Sequence, residues 1–256
     1  MKSIIKMLSL LLGLSSLFFV TSCNKDDDSD DIEKVNIMLQ FENQLAGHDA
    51  VSDHAHVAHD DTFLLNTVRY YISKVRLFDD VGNEIATFPD KYFLVKDSEE
   101  NNFELGEIEI GKHVHRIVFN VGIDPETNNQ TETDFNSYPA GHPLALQEGV
   151  KMHWAWNMGY IFVNIKGTVN SNNVELELGT DDLLREADVL LHENVMPGEH
   201  FHIHLVADIA AFFDGVDTES EVKAHTNNEL AKKVMDNVPN VFSKAGGDGG
   251  HNHGKK

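Results

Sequence analysis

A chain of 256 residues with 42 Asp and Glu against 20 Lys and Arg carries a formal charge of −22, a surface that repels nucleic acid and anionic lipid headgroups and attracts cations. Its 41% apolar content can fill one sizeable core, and no internal repeat argues for a second domain. A single cysteine excludes a disulfide framework.

The chain opens with Lys2 and Lys6 and then an apolar run from Leu8 to Val20, the order of a secretory signal peptide and too short for a permanent span. Val20-Thr21-Ser22-Cys23 follows and resembles the lipobox of bacterial lipoproteins, which predicts removal of residues 1–22 and acylation of Cys23. Two or three acyl chains would anchor it essentially permanently, at about 0.8 kcal/mol per buried methylene. Residues 23–33 read as an extended tether, because Asn24-Lys25-Asp26-Asp27-Asp28-Ser29-Asp30-Asp31 has no apolar side chain to bury. A lysine followed by acids also resembles the surface-export signal of Bacteroidetes lipoproteins. The expected location is the outer membrane, exposed at the cell surface and held by lipid alone; a spacer facing the periplasm is the alternative.

The folded domain is expected over residues 34–243. Val35, Ile37, Leu39 and Phe41 alternate with Asn36, Met38, Gln40 and Glu42, a period of two that predicts a half-buried strand. Further strands are predicted at Thr67 to Phe78, Lys91 to Lys96, His113 to Val121, His153 to Ile165, Val174 to Leu178 and Glu199 to Phe213, with turns at Asp79 to Asn83 and Val169 to Asn173. A short helix is expected at Leu183 to Asp188. A C-terminal helix, capped by Thr226 or Asn227, carries Leu230, Ala231, Val234, Val238 and Val241 at helical spacing. These elements add up to an all-β, antiparallel two-sheet β-sandwich of immunoglobulin-like type with a C-terminal helix. Residues 244–256, rich in Gly and carrying His251 and His253, read as a flexible tail.

Fifteen histidines are clustered, and imidazole is the commonest protein ligand for copper and zinc. His200, His202 and His204 stand opposite the apolar Phe201, Ile203 and Leu205, so they share one face; they either share an ion or are solvated on an outer sheet face. His113 and His115 fall in line with Ile117, Phe119 and Val121 and read as hydrogen-bonded structural residues at the mouth of the core. His48, His54, His56 and His59 mix with Asp49, Asp53, Asp60 and Asp61 in a loop that suits weak zinc, copper or nickel capture, since the metal must order it. No Gly-x-Ser-x-Gly, His-Glu-x-x-His or cysteine nucleophile is present, so no enzyme is expected.

Both tryptophans lie in Met152-His153-Trp154-Ala155-Trp156-Asn157-Met158-Gly159-Tyr160-Ile161-Phe162, where a strand would turn Trp154 and Trp156 to the same side and into the core. That run, with Gly167 after it and with Arg69 to Leu77 and Phe119 to Asp124 before it, resembles the MbnP-like copper-binding protein family. The resemblance implies a β-sandwich that binds copper, Cu(I) or Cu(II), through histidine and, in characterised members, through a kynurenine made by oxidising a tryptophan. Carried over, Trp154 or Trp156 is the residue oxidised, a MauG-like di-haem peroxidase is the partner, and zinc is a possible substitute ion. Relatives often place a histidine where Leu176-Glu177-Leu178-Gly179 has Glu177; His153, His202 and His204 are the candidates to replace it, with His54 and His56 as weak extra sites. Binding through imidazole should weaken below about pH 6. The competing expectation is a surface interaction or adhesion module without a specific metal site.

Overall fold

The computed structural model describes residues 32–97, 100–154 and 158–246. The leader, Cys23, the acidic run to Asp31, Trp156, His251 and His253 lie outside the described residues. The strands are β1 (Lys34–Leu45), β2 (His48–Asp49), β3 (His56–Ala58), β4 (Asp61–Phe78), β5 (Glu84–Lys96), β6 (Asn101–Glu109), β7 (His113–Val121), β8 (Val163–Val169), β9 (Asn172–Leu178), β10 (Arg185–Asn194), β11 (His200–Asp208), β12 (Val222–His225) and β13 (Phe242–Lys244). Among the described residues, four short α-helices accompany the strands: α1 (Pro125–Asn128), α2 (Glu132–Phe135), α3 (Glu229–Asp236) and α4 (Val238–Val241).

Two sheets make the expected sandwich. The first runs β13-β11-β1, with β2 and β6 also paired to β1; the second runs β10-β7-β4-β8-β9-β12, with β3 and β5 also on β4. Most pairs are antiparallel, but β1 pairs β11 in parallel and β12 pairs β9 in parallel, so the sheets are mixed. Strict alternation in β1 buries Val35, Ile37, Leu39, Phe41, Asn43 and Leu45, and carries the strand three residues beyond the predicted end at Glu42. Phe41 meets Tyr70, Phe119 and Phe242 edge-on at 6.4, 5.8 and 6.1 Å, a cluster that ties the two sheets together. Each such pair is worth about 0.5–1.5 kcal/mol beyond its buried area. The Tyr70 hydroxyl donates to Asn43 Oδ1 at 2.8 Å and Asn43 Nδ2 donates to the Asp97 carbonyl at 2.8 Å, so the polar groups buried beside this cluster are paired.

Three expected elements differ. His153 to Ile165 is not one strand: only a single bridge joins His153 to Tyr160, and regular pairing starts at Val163. The chain turns here: Gly159 takes φ +74, the Trp154 N–H donates to the Gly159 carbonyl at 3.3 Å, and the Tyr160 N–H donates to the sequence-distant Asn128 Oδ1 at 3.0 Å instead of to a ladder. Leu183 to Asp188 is not a helix; one 3-10 turn at Asp181–Leu183 leads into β10, which buries Ala187, Val189 and Leu191 at period two. Glu199 to Phe213 divides into β11 and a buried 3-10 segment, Ile209–Phe213. The C-terminal helix is present, but its cap is Asn228, whose side chain accepts from the Ala231 N–H at 2.7 Å, and Asn237 divides it before Pro239.

Candidate metal centre

β4 ends at Phe78 and reverses through Asp79 to Asn83. The Asp79 carboxylate accepts from the Val81 and Asn83 N–H groups and from the Asn83 side chain, which locks the turn and holds the Asp79 pKa below its ordinary value. Asp80 is thereby lifted clear of the sheet, 59% exposed, at the mouth of β7. There Val114 is the buried residue, so His113 and His115 project away from the core and not, as their spacing from Ile117 suggests, toward it.

Opposite them, β10 carries a bulge. Its register with β7 slips between Leu190 and Glu193, so two residues face one, and His192 adopts φ +54. The bulge swings the His192 ring edge-on against His115, with centroids 4.4 Å apart and planes at 86°. One ligand-type atom from each of Asp80, His113, His115 and His192 then falls within 4.8 Å of all the others. His115 Nδ1 stands 3.0 Å from Asp80 Oδ1 and His113 Nε2 stands 3.4 Å from the same oxygen. His113 Nδ1 lies 2.9 Å from Asn194 Oδ1, which, as the acceptor, fixes the tautomer and leaves Nε2 a lone pair facing the group. His115 Nδ1 is buried without an aligned hydrogen bond despite the nearby carboxylate. Donor atoms that approach each other without bonding one another, from three imidazoles and a carboxylate, are the arrangement that a transition-metal ion completes.

The residues expected at the site are placed differently. Trp154 packs partly buried against the core, with its ring where a Cβ on Gly179 would meet it at 3.1 Å. His153 sits beside it, its ring edge-on to Phe135 at 5.5 Å, and burial lowers its pKa. Tyr71, whose N–H donates to the Phe162 carbonyl at this end, lies seven residues from Phe78 along β4, which is roughly 23 Å at about 3.3 Å per residue. The tryptophan end and the histidine centre are therefore separate places. His202 and His204 belong to the outer face of the other sheet, where His202 pairs with Met38 and His204 Nε2 stands 2.8 Å from Glu42 Oε1. His54 contacts Asp53, while His56 stacks on His48 with planes 19° apart and centroids at 5.0 Å. Rings that nearly parallel aim their in-plane lone pairs past one another, so His48 and His56 do not converge on one ion. His59 is pinned between Asp208 and Asp214, at 2.9 Å from each; burial would lower its pKa, but the two carboxylates outweigh it and raise it.

Sequence reasoning missed Asp80 and His192. A turn at Asp79 to Asn83 was legible; the approach of that turn to a bulge in β10 has no local signal.

The MbnP family model matches residues 34–235, nearly the whole folded part of the chain. The chain belongs to the MbnP family. Among solved structures, MbnP from Methylosinus trichosporium is similar at 14% identity with a TM-score of 0.45, over 75% of this chain and 82% of that one. No curated protein matches. In this MbnP-family chain, the position before Leu178-Gly179 holds a carboxylate that is already engaged. Glu177 is 1% exposed; Lys151 Nζ donates to both of its oxygens at 2.8 Å and Lys166 Nζ donates to Oε1 at 2.6 Å, with His225 Nδ1 3.3 Å from Oε2.

Burial would raise the Glu177 pKa, but these lysines outweigh it and hold the group at about 2. A depressed carboxylate contributes stability above its unfolded pKa near 4.5, and that contribution is lost as pH falls from 4.5 through 2. Glu177→Gln should therefore cost about 1.5–3 kcal/mol at pH 7, by urea unfolding, and the difference from wild type should shrink toward pH 2. An equal difference at pH 7 and pH 2.5 would show that the lysine pairing is not its source.

Proposed function

We propose that this protein binds copper, as a lipid-anchored protein of the cell envelope that captures or buffers the ion, and that Asp80, His113, His115 and His192 hold it. The single observation that carries this reading is the convergence of one ligand-type atom from each of four residues within 4.8 Å, three of them imidazoles on paired strands, with His115 Nδ1 buried and lacking an aligned hydrogen bond. Ligands on packed strands lose little freedom on binding, so this centre dominates over the histidine loop at His48 to His59. Imidazole suits copper or zinc, and a single carboxylate is too few oxygens for a calcium or magnesium cage. The anchor at Cys23 and the acidic run after it keep the centre outside the cytoplasm, where metal arrives. The tryptophan motif contributes a second, separate part of the proposal: a MauG-like di-haem peroxidase, with two equivalents of peroxide as oxidant, converts Trp154 or Trp156 to kynurenine with the indole C2 leaving as formate, read out by the mass of the peptide that carries them.

Competition titration with a copper chelator, on protein purified from its native host, tests the main reading. One tight copper per chain is expected, retained by Trp154→Phe, by Trp156→Phe and by a variant with His48, His54 and His56 changed to Ala. Loss of the tight site in the triple variant alone would assign copper to the loop; absence of tight copper in the wild type would sink the proposal.

A further inference from the structure

We infer that His59 is a charged latch, which as an imidazolium ties the β3–β4 turn to the end of β11 and to the 3-10 segment after it, and which releases the turn on losing its proton. The geometry fixes the charge state. His59 Nε2 stands 2.9 Å from Asp208 Oδ2, and Nδ1 stands 2.9 Å from Asp214 Oδ1. A carboxylate oxygen accepts and a neutral imidazole has a single N–H, so a neutral ring would set a lone pair against one of the two carboxylates. Only the doubly protonated ring donates to both, and each bond is then charge-assisted. Asp208 is in place beforehand, since its Oδ1 accepts from the Ala210 N–H at 3.2 Å while Oδ2 faces His59.

The latch joins the two sheets. β3 and β4 belong to the second sheet and β11 to the first, and Asp208 and Asp214 lie 149 and 155 residues along the chain from His59. Ala58 pairs with Asp61, so His59 and Asp60 are the two central residues of the hairpin turn, at φ +49 and +70. Asn-Gly makes such a turn with less strain; what histidine adds is a side chain that reaches across to the other sheet. β4 has other fastenings here, because Asp61 Oδ1 accepts from Asn170 Nδ2 at 2.6 Å and from Thr218 Oγ1 at 2.9 Å. β3 has three residues and, among the described residues, pairs with β4 alone. Opening the latch therefore frees β3, and with it the loop that carries His54 and His56, while β4 stays in its sheet.

The surroundings keep the proton on the ring. Burial alone would favour the neutral form, but the two carboxylates outweigh it and hold the pKa above its ordinary value of 6.5. The turn itself adds Asp60 and Asp61, and Asp217 follows Asp214 by three residues. Beside β11, the uncharged Gln44 of β1 pairs with Asp208, and Asp49 of β2 lies beyond it. The cation that α3 brings near is Lys233, whose Nζ would stand 3.7 Å from a Cβ on Gly215. Acids outnumber it, so the local field favours the charged ring. The sign follows: with a raised folded pKa, the contribution of the latch to stability is complete below pH 6.5 and is lost as pH rises through the folded value. The latch is closed at mildly acidic pH and opens as the medium turns alkaline.

Two measurements on the full chain test this. By NMR the His59 ring should titrate above 6.5 in wild type, and at lower pH in Asp214→Asn, which removes one carboxylate charge and keeps the side-chain shape. Amide hydrogen exchange, corrected for its intrinsic pH dependence, should show the protection of β3 falling at least about fivefold between pH 6 and pH 9, with that of β8 unchanged. His59→Gln should show the lower β3 protection at both pH values, and in Asp214→Asn the fall should move to lower pH together with the ring. A ring that titrates at or below 6.5 overturns the charged latch, and β3 protection that stays constant with pH overturns its release. A fall of the same size in His59→Gln also overturns it, because another group would then be its source. Should His59→Gln not fold, Asp214→Asn decides: a protection midpoint that stays put while the ring shifts overturns the latch.

Discussion

His192→Gly should abolish tight copper binding and at the same time raise the stability of the metal-free fold. The bulge holds His192 at φ +54, a left-handed conformation that costs a side-chain-bearing residue about 1–2 kcal/mol and glycine almost nothing. Histidine tolerates that region better than most residues, which is why the strand can carry it there at all. Strain of this kind persists at functional positions because the surrounding structure imposes it, here through the register slip between β10 and β7. Removing a direct ligand should cost more than the 10–100-fold that loss of an outer-shell partner typically costs. Asn194→Ala, which removes the acceptor on His113 Nδ1, supplies that smaller reference effect in the same protein. His192→Ala separates the two consequences, since it loses the ligand and keeps the strain. Chelator competition and urea unfolding on the three variants check the account. Wild-type copper affinity in His192→Gly would remove His192 from the ligand set, and a lower unfolding midpoint would refute the strain.

The contrast between what was legible and what was not follows from how far each feature depends on distant parts of the chain. β1 is written in the alternation of Val35, Ile37, Leu39 and Phe41, because a strand with one buried face needs only its own pattern. The outward parity of His200, His202 and His204 was legible for the same reason. β10 was not, because Arg185-Glu186-Ala187-Asp188 has the composition of a helix and only pairing with β7 makes it a strand. The tryptophan run was misread as a strand because Asn128, more than twenty residues earlier, takes the backbone N–H that a ladder would have used. His113 and His115 were seen as a pair, but their direction depends on Val114 filling the core in their place. Asp80 and His192 become ligands only by tertiary approach, and no spacing along the chain announces it. Glu177 was noticed as a departure from the family pattern; its capture by Lys151 and Lys166 shows why it is a structural anion and not a spare ligand.

Gly167→Ala should lose about 3–5 kcal/mol of stability, through backbone overlap and strain together, without changing the copper affinity of the folded protein. Gly167 sits in β8 at φ +145, opposite the place where the register of β4 slips between Leu65 and Thr67. A Cβ there would stand 2.3 Å from the Leu64 carbonyl oxygen and 2.7 Å from Leu65 Cα. Both are backbone atoms of the long strand that also carries β3, β5 and β7, so neither can move without disturbing the centre of the eight-stranded sheet. Against a typical stability of about 5–15 kcal/mol this is a large fraction, so the variant should unfold at markedly lower urea. Gly141→Ala is the control: its φ is also positive, at +88, but nothing lies within 4 Å of the added carbon, and it should lose only the strain, about 1 kcal/mol. Copper affinity should be unaffected because the metal centre lies at the far end of β4, beyond the distance over which independent sites couple, about 7–10 Å. Unfolding followed by tryptophan fluorescence gives the stabilities, and chelator competition below the transition gives the affinity. Equal losses in the two glycine variants would show that the close approach of β8 to β4 is not what the glycine in this motif provides.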